Sequence, residues 1–537
     1  MTYPQIRIMR FFLVFLASLF SVAAVLANGV QFVQADARTV RVGLPELDGN
    51  ITLVAAGCFT EDLGAAEVIY RGPANGQVIS LNRHSESRRD HLFDQFVLLD
   101  ATGNPIGPAR YATQIVTLEP QGQTAGWPKQ IKGLQCVLDF DDAADLGAAH
   151  VTINVSLTSL LEAPVDSKSA LSELTYDVDG IRYRFRAGQV SSLDRKFRAA
   201  SSRGMNAIAI LLCTGGNRRS SRHTLIHPDA DLSAGNVFAV NLNSEEAERQ
   251  YRAVIGFLGR RYSRPDKKYG SIGGYIVGNE VQSHWSWHNM GPRDAEDVIQ
   301  QYADQLRLTY FALCNEVADP RVFVSFDHHW TSQQGKDSSR ALPGRVFLDR
   351  MAEMVRENGD FPWHVAWHPY PESLFDPVFW EDAQATFSFE TPKITFKNIE
   401  VLLGYLNRPE LKHDNKRRRV ILSEQGFHAG NTPASEEVQA AAFAASYIRI
   451  SALKGIDAYI LHRHVDHPRE GGLKLGLWTE RDGRRDRERP IYRVFQAAGT
   501  PSQTEAFRFA LPIVALNSWE GMSPRDRVGG QQTSVQE

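Results

Sequence analysis

Eight short apolar runs, set apart by stretches of helical spacing, constrain this chain more than any other feature. They are Leu134 to Phe140, His150 to Leu157, Ala207 to Cys213, Tyr275 to Glu280, Arg321 to Phe326, Trp363 to His368, Arg419 to Glu424 and Ile456 to Leu461. Such near-continuous apolar segments are what strands need when both faces are covered. Between them, Leu193 to Arg203 (closed by Gly204), Ser244 to Tyr262 (with Asn243 as N-cap) and Ser435 to Leu453 read as helices. Strands alternating with helices imply parallel βαβ units. Eight of them predict an α/β fold, a (β/α)8 TIM barrel.

Two of the runs stop at a carboxylate. Tyr275-Ile276-Val277-Gly278-Asn279-Glu280 is the fourth and Arg419-Val420-Ile421-Leu422-Ser423-Glu424 the seventh. A barrel of this kind carries its chemistry at the carboxyl ends of its strands. A glutamate at a strand end is often only a solvated or capping group. Two of them, on strands that face each other across a barrel mouth, make a candidate acid/base pair. Glycoside hydrolysis requires such a pair, one carboxyl to protonate the leaving oxygen and one to attack or stabilise the anomeric carbon.

Asn279-Glu280 closing strand four, His368-Pro369-Tyr370 closing strand six and Ser423-Glu424 closing strand seven resemble the retaining glycoside hydrolases of the clan A superfamily. Gly476-Leu477-Trp478 through Gly483, then Pro490 to Phe495, resemble the closing segment of such barrels, so the likeness spans roughly residues 135 to 500. It implies Glu280 as acid/base, Glu424 as nucleophile, Asn279 against the sugar 2-hydroxyl, Tyr370 holding the nucleophile and His368 supporting the site. It implies no cofactor and no metal. The chain departs from the pattern where many members carry an Arg at the end of strand two and a His near strand three. Here those runs end in Asn154-Val155-Ser156-Leu157 and Leu212-Cys213-Thr214.

Trp285 and Trp287, in the loop after Glu280, and His329 and Trp330, after strand five, offer flat rings for stacking on a sugar. The alternative is that they plug loops against the barrel. In the loop after strand three, the cluster Arg218-Arg219-Ser220-Ser221-Arg222-His223 could grip an anionic sugar substituent through forked guanidinium contacts, although most such charge runs are solvated surface. Two rival functions remain. His462 and His464 have the alternate spacing of a metal pair, giving a metal-dependent barrel hydrolase. A non-catalytic carbohydrate-binding barrel is the other, although a decayed enzyme would be expected to lose one of the glutamates.

At 537 residues the chain exceeds a bare barrel of about 250, so an added domain is expected. Residues 38 to 130 carry the short β-rich runs Ile51 to Ala55, Glu67 to Tyr70, Gln77 to Leu81 and Phe96 to Leu99, broken by Gly, Pro and Asn turns, which predicts a sandwich-like accessory domain. Arg7 and Arg10 precede the apolar run Phe11 to Ala27, so residues 1 to 27 read as a signal peptide and the protein as secreted or periplasmic. Ala35-Asp36-Ala37 is a second acceptable cleavage site, and an N-terminal membrane anchor is the alternative. The polar segment 518 to 537 reads as a disordered tail. A net charge of −3 gives no preference for nucleic acid. Cys58, Cys136, Cys213 and Cys314 are scattered through apolar runs, with Cys136 and Cys213 placed in core strands, and read as small buried hydrophobes. Nothing in the residues sets the oligomeric state.

Overall fold

The computed structural model describes residues 28–84, 89–115, 120, 122–165, 172–215 and 223–532. Its centre is a closed parallel barrel of β1 Lys132–Gln135, β2 His150–Ser156, β3 Asn206–Thr214, β4 Gly274–Val277, β5 Val322–Phe326, β6 Trp363–Trp367, β7 Val420–Gln425 and β8 Ile456–Leu461. Each strand pairs with its sequence neighbour, and β8 returns to β1 with Tyr459 opposite Lys132. All eight predicted strands are present.

Side-chain parity builds two cores. Ile208, Ile210, Ile276, Phe323, Ala366, Ile421, Ala458 and Ile460 point inward and fill the barrel, with Trp127 packed against them and its indole donating to the Asp457 carbonyl at 2.8 Å. The opposite parity, such as Val322, Val324, Phe326, Val365 and Trp367, packs outward in the larger cluster that the helices cover. The helix between β3 and β4 spans Glu245–Tyr262 and is capped by Ser244, whose hydroxyl accepts from Ala247 N, one residue past the expected Asn243. Glu245, Glu246 and Glu248 open it and Arg260 and Arg261 close it, which complements the helix dipole at both ends. Among the described residues, no helix is long and apolar enough to cross a membrane.

Two boundaries moved, for local reasons. β1 ends at Gln135 and not at Phe140, because Cys136 turns to φ +55 and Asp139 caps a helix over Phe140–Asp145. Cys136 is thus in a turn and not in a core strand. β4 ends at Val277, because Gly278 turns to φ +76.

The N-terminal region forms two small sheets. One runs in the order Val78–Asn82, Thr39–Gly43, Phe32–Ala35, Gln114–Ile115, and the other Glu67–Asn75, Glu46–Ala56, Gln95–Leu99. Phe32–Ala35 lies inside its sheet, so a cut after Ala37 would remove a paired strand. Arg83 joins this domain to the barrel helices through Asn315 at 2.7 Å, and Arg89 through Glu248 at 3.4 Å. A cavity of about 290 Å³ at this seam is lined by Arg83, Asp90, Asp179 and Arg252, whose charges pair with one another.

The segment 518–532 corrects the expectation of a disordered tail. It forms a short turn of helix, Trp519–Met522, and a hairpin of Arg527–Val528 with Gln531–Gln532, turned through Gly529 and Gly530 at positive φ. What anchors it is invisible to composition. Arg449 donates to the Met522 carbonyl at 3.0 Å and to Glu400 at 2.5 Å, and Glu400 accepts Arg525 N at 2.9 Å. Glu400 is fully buried and Arg449 nearly so. Glu400→Ala strands a buried guanidinium and is expected to cost about 3–5 kcal/mol, read as a lower melting temperature. Pairing it with Arg449→Met should recover most of that loss, because no unpaired charge then remains.

Candidate active site

Local backbone distortions aim the two glutamates. After β4, Gly278 at φ +76 and Glu280 at φ +40 swing the chain across the barrel mouth. The turn is pinned from β5, where Ser325 Oγ accepts Glu280 N at 3.1 Å and the Ser325 carbonyl accepts Val281 N at 3.0 Å. A left-handed glutamate costs on the order of 1–2 kcal/mol, and such strain is characteristic of functional positions. On β7 the register against β8 slips between Leu422 and Gln425. A regular strand would send Ser423 and Glu424 to opposite faces, whereas this irregularity lets both bond groups at the mouth. Ser423 Oγ meets His368 Nε2 at 3.0 Å, while Glu424 accepts from Gln135 at 2.9 Å and from the Tyr370 hydroxyl at 3.2 Å.

His368, just beyond β6, sits between them. One oxygen of Glu280, one of Glu424 and a ring nitrogen of His368 all lie within 4.8 Å of one another. Its Nδ1 is 2.8 Å from Glu280 Oε1, and Nε2 is shared by Ser423 and Ser325.

The two carboxyls are pushed in opposite directions. Burial raises the Glu280 pKa, the charges of Asp327 and Glu424 add to it, and together they outweigh the His368 hydrogen bond. Burial acts on Glu424 too, but the His462 and His368 charges with the Gln135 and Tyr370 hydrogen bonds overcome it, leaving its pKa below the usual value. Buried His462 would by itself favour the neutral form; the Glu424 charge and bonds to Cys136 and Glu470 push its pKa up to about 10. One carboxyl therefore favours its proton and the other its charge, the division of labour that acid/base catalysis by a glutamate pair needs.

The remaining predicted residues separate. Asn279 is half-buried, beside Glu280, and its side chain bonds none of the described residues. Trp287 is the exposed ring of its loop at 38%, while Trp285 is half-buried under the Arg340 guanidinium, 4.5 Å from its centroid. His329 is held by Asp327 at 2.9 Å and lies against His328. Trp330 is a correction. It is fully buried, donates to the Phe389 carbonyl at 2.9 Å and packs edge-on against Trp367 and Tyr405, so it is core and not rim. Arg218, Arg219 and Arg222 lie outside the described residues, as do residues 1–27 and 533–537.

The metal pair of His462 and His464 is a second correction. His464 is consumed by Asp142 at 2.7 Å and by Leu138 N at 3.1 Å, whereas His462 faces Gln135 at 3.1 Å and Glu470 at 3.3 Å. The two imidazoles bind different partners and share no ligand position.

Sequence reasoning missed Gln135, Ser325, Glu470 and Phe375. Gln135 could have been found, since the last residue of a barrel strand is where a mouth contact belongs; placing the end of β1 five residues late, at Phe140, hid it. Phe375, 56% exposed beside Leu374 in the loop after β6, rests edge-on against His428. Among the described residues, the exposed large hydrophobics Leu138, Trp287, Leu374 and Phe375 follow barrel strands at this end of the barrel.

Residues 124–522 match the model of a family described as "Family of unknown function (DUF5722)". No curated protein matches the sequence. Similar solved structures include a family 39 glycoside hydrolase from the gut symbiont Bacteroides cellulosilyticus WH2, at 12% identity over 88% of this chain and 82% of that one, with a TM-score of 0.44. Others are the exo-β-1,4-mannosidase Op5Man5 from Opitutaceae bacterium strain TAV5 (16%, 73% and 63%, TM-score 0.40) and a family 1 β-glucosidase from Thermotoga maritima (11%, 68% and 85%, TM-score 0.39). These are glycoside hydrolases, the class whose motifs the sequence resembles; at such scores they carry no chemistry over to this chain.

Proposed function

We propose that this chain, which belongs to the DUF5722 family of unknown function, is a retaining glycoside hydrolase, secreted or periplasmic, that cleaves an extracellular oligo- or polysaccharide with Glu280 as acid/base and Glu424 as nucleophile. One observation carries the reading: two glutamates with oxygens within 4.8 Å, in surroundings that favour the proton on one and the charge on the other. Retaining pairs stand about 5–5.5 Å apart, and inverting pairs about 6.5–9.5 Å to admit a water.

In the first step Glu424 attacks the anomeric carbon, the glycosidic C–O bond breaks, and Glu280 gives its proton to the departing oxygen. Tyr370 and Gln135 hold Glu424 in place, and Asn279 stands free to meet the sugar 2-hydroxyl. Once Glu424 is esterified it no longer carries the charge that helps raise the Glu280 pKa. Glu280, which gave up its proton in the first step, is therefore more readily kept as a carboxylate, and in the second step takes a proton from the water that hydrolyses the ester. A barrel that only bound glycan would have no use for two neighbouring carboxyls whose pKa values are pushed in opposite directions.

The test is a screen of polysaccharides and aryl β-glycosides read by released reducing sugar, with the first-formed anomer followed by NMR. Retention of configuration is expected. Inversion would make Glu424 a base, and glycan binding without release from any substrate would favour the non-catalytic barrel. The preference for β-glycosides comes from the sequence resemblance, and a grip on anionic sugars through Arg218 and Arg222 is to be tested with charged and neutral substrates side by side. Export rests on the N-terminal run and is checked by fractionating cells for the processed chain.

A further inference from the structure

We propose that Gln135 and His462, backed by Glu470, form a positioning relay that fixes the Glu424 carboxylate and places a buried cation one amide away from it. The relay rests on the glycosidase reading only for what Glu424 does; its own content is hydrogen bonding and charge.

Donors and acceptors along this chain of side chains fix where its protons sit. Gln135, 3% exposed at the end of β1, has Nε2 at 2.9 Å from Glu424 Oε2. An ionised carboxylate only accepts, so the amide must present its NH2 group there, which leaves Oε1 facing His462 Nδ1 at 3.1 Å. An amide oxygen also only accepts, so Nδ1 must carry a hydrogen. On the other side, His462 Nε2 lies 3.3 Å from Glu470 Oε2, again a carboxylate, which Arg463 holds in an ion pair. Both ring nitrogens face acceptors, and a ring that donates from both is an imidazolium. The chain Glu470, His462, Gln135, Glu424 thus has one consistent set of proton positions, with the cation at its centre.

The surroundings leave few competitors for this role. Around His462 stand Gln135 and the Cys136 thiol from β1 and its turn, Glu424 from β7, and Arg463 and Glu470 from the segment after β8. Glu424 is further faced by His368, Tyr370 and Glu280. At the end of β2, Ser156 is taken up by Thr214 and Ser159, and Asn154 is exposed, so neither serves Glu424. The cation near Glu424 on this side of the barrel comes across the β1–β8 seam.

A nearby cation favours the charged carboxylate, so losing it raises the pH at which Glu424 takes up a proton. His462→Gln keeps a donor for Gln135 Oε1 but removes the charge, and Gln135→Met removes the bridge. In full-length protein carrying 13C-carboxyl glutamate, with the Glu424 signal assigned by its loss in Glu424→Gln, the Glu424 titration midpoint should rise by about one pH unit or more in His462→Gln, and also rise in Gln135→Met. With an active substrate, the acid limb of kcat/KM should move up in step, a shift that a merely structural role would not produce. In the unmutated protein, 15N-labelled histidine should show both His462 nitrogens protonated at pH 7. An unmoved midpoint in a His462→Gln protein that melts like the parent, or a singly protonated His462 ring in the parent, would overturn the relay. The NMR readouts need no turnover. A chain inert on every glycoside that still shows the shift keeps the relay and loses the glycosidase reading, and an active enzyme with an unmoved midpoint does the reverse.

Discussion

Replacing Glu424 with alanine is expected to lower turnover on every glycoside by about 10^4-fold or more, the scale of loss when a covalent nucleophile is removed. Both chemical steps run through this carboxylate: the first forms its ester and the second hydrolyses it. No neighbour can substitute. Glu280 is held by His368 and favours its proton, and Asp327 is tied to Ser283 at 2.6 Å and to His329. The loss should therefore be independent of the leaving group and of pH. Gln135 and Tyr370 each lose an acceptor in this variant, which costs stability on the order of 1–3 kcal/mol, so the melting temperature must be read beside the kinetics. A folded Glu424→Ala protein with more than a few per cent of the parent activity on natural glycan would remove Glu424 from the mechanism.

The fold was legible because its strands are buried on both faces. Val322 to Val324 and Val420 to Leu422 read as unbroken apolar runs for the same reason that they pack outward on helices and inward on the barrel core. The glutamates were legible because a carboxylate ending such a run is conspicuous. What the residues could not reveal is direction. Trp287 and Trp330 are both aromatic residues on post-strand loops, yet one is exposed and the other spends its indole hydrogen on the Phe389 carbonyl, a choice made by tertiary contacts far along the chain. His462 and His464 have the spacing of a shared site, but beyond the end of β8 the chain no longer keeps strand alternation, and Asp142 and Gln135 draw them to separate partners. The segment 518–532 looks unstructured because its few apolar residues, Trp519, Met522 and Val528, find the core only through tertiary packing, and the buried Glu400–Arg449 pair that holds it lies on distant helices.

Glu280→Ala is expected to split substrates by leaving group. Natural glycan releases an alkoxide that needs a proton in the transition state, so the variant should lose about 10^2–10^4-fold on it, the usual worth of general acid catalysis. An aryl glycoside with a strongly acidic phenol leaves without a proton, so its first step should be nearly unaffected and the glycosyl-enzyme should accumulate, seen as a burst of phenol followed by slow turnover. The pH profile gives an independent reading. The Glu280 pKa is raised in the folded protein, first by burial and then by the charges of Asp327 and Glu424, so the protonated form needed for catalysis is present below that pKa and lost as pH rises through it. That loss is the basic limb of the parent profile. Glu280→Gln, which cannot titrate, should abolish the limb on the activated substrate while leaving the acid limb, set by Glu424, where it was. The same sign governs stability: a group whose folded pKa is raised stabilises below its unfolded pKa and ceases to as pH rises through the folded value. At pH above that value Glu280→Gln should therefore melt no lower than the parent, and a large drop in melting temperature would attribute its kinetic loss to the fold. Equal losses on natural and activated substrates, in protein of normal stability, would show that Glu280 is not the proton donor and would reopen the choice of acid among the groups around His368.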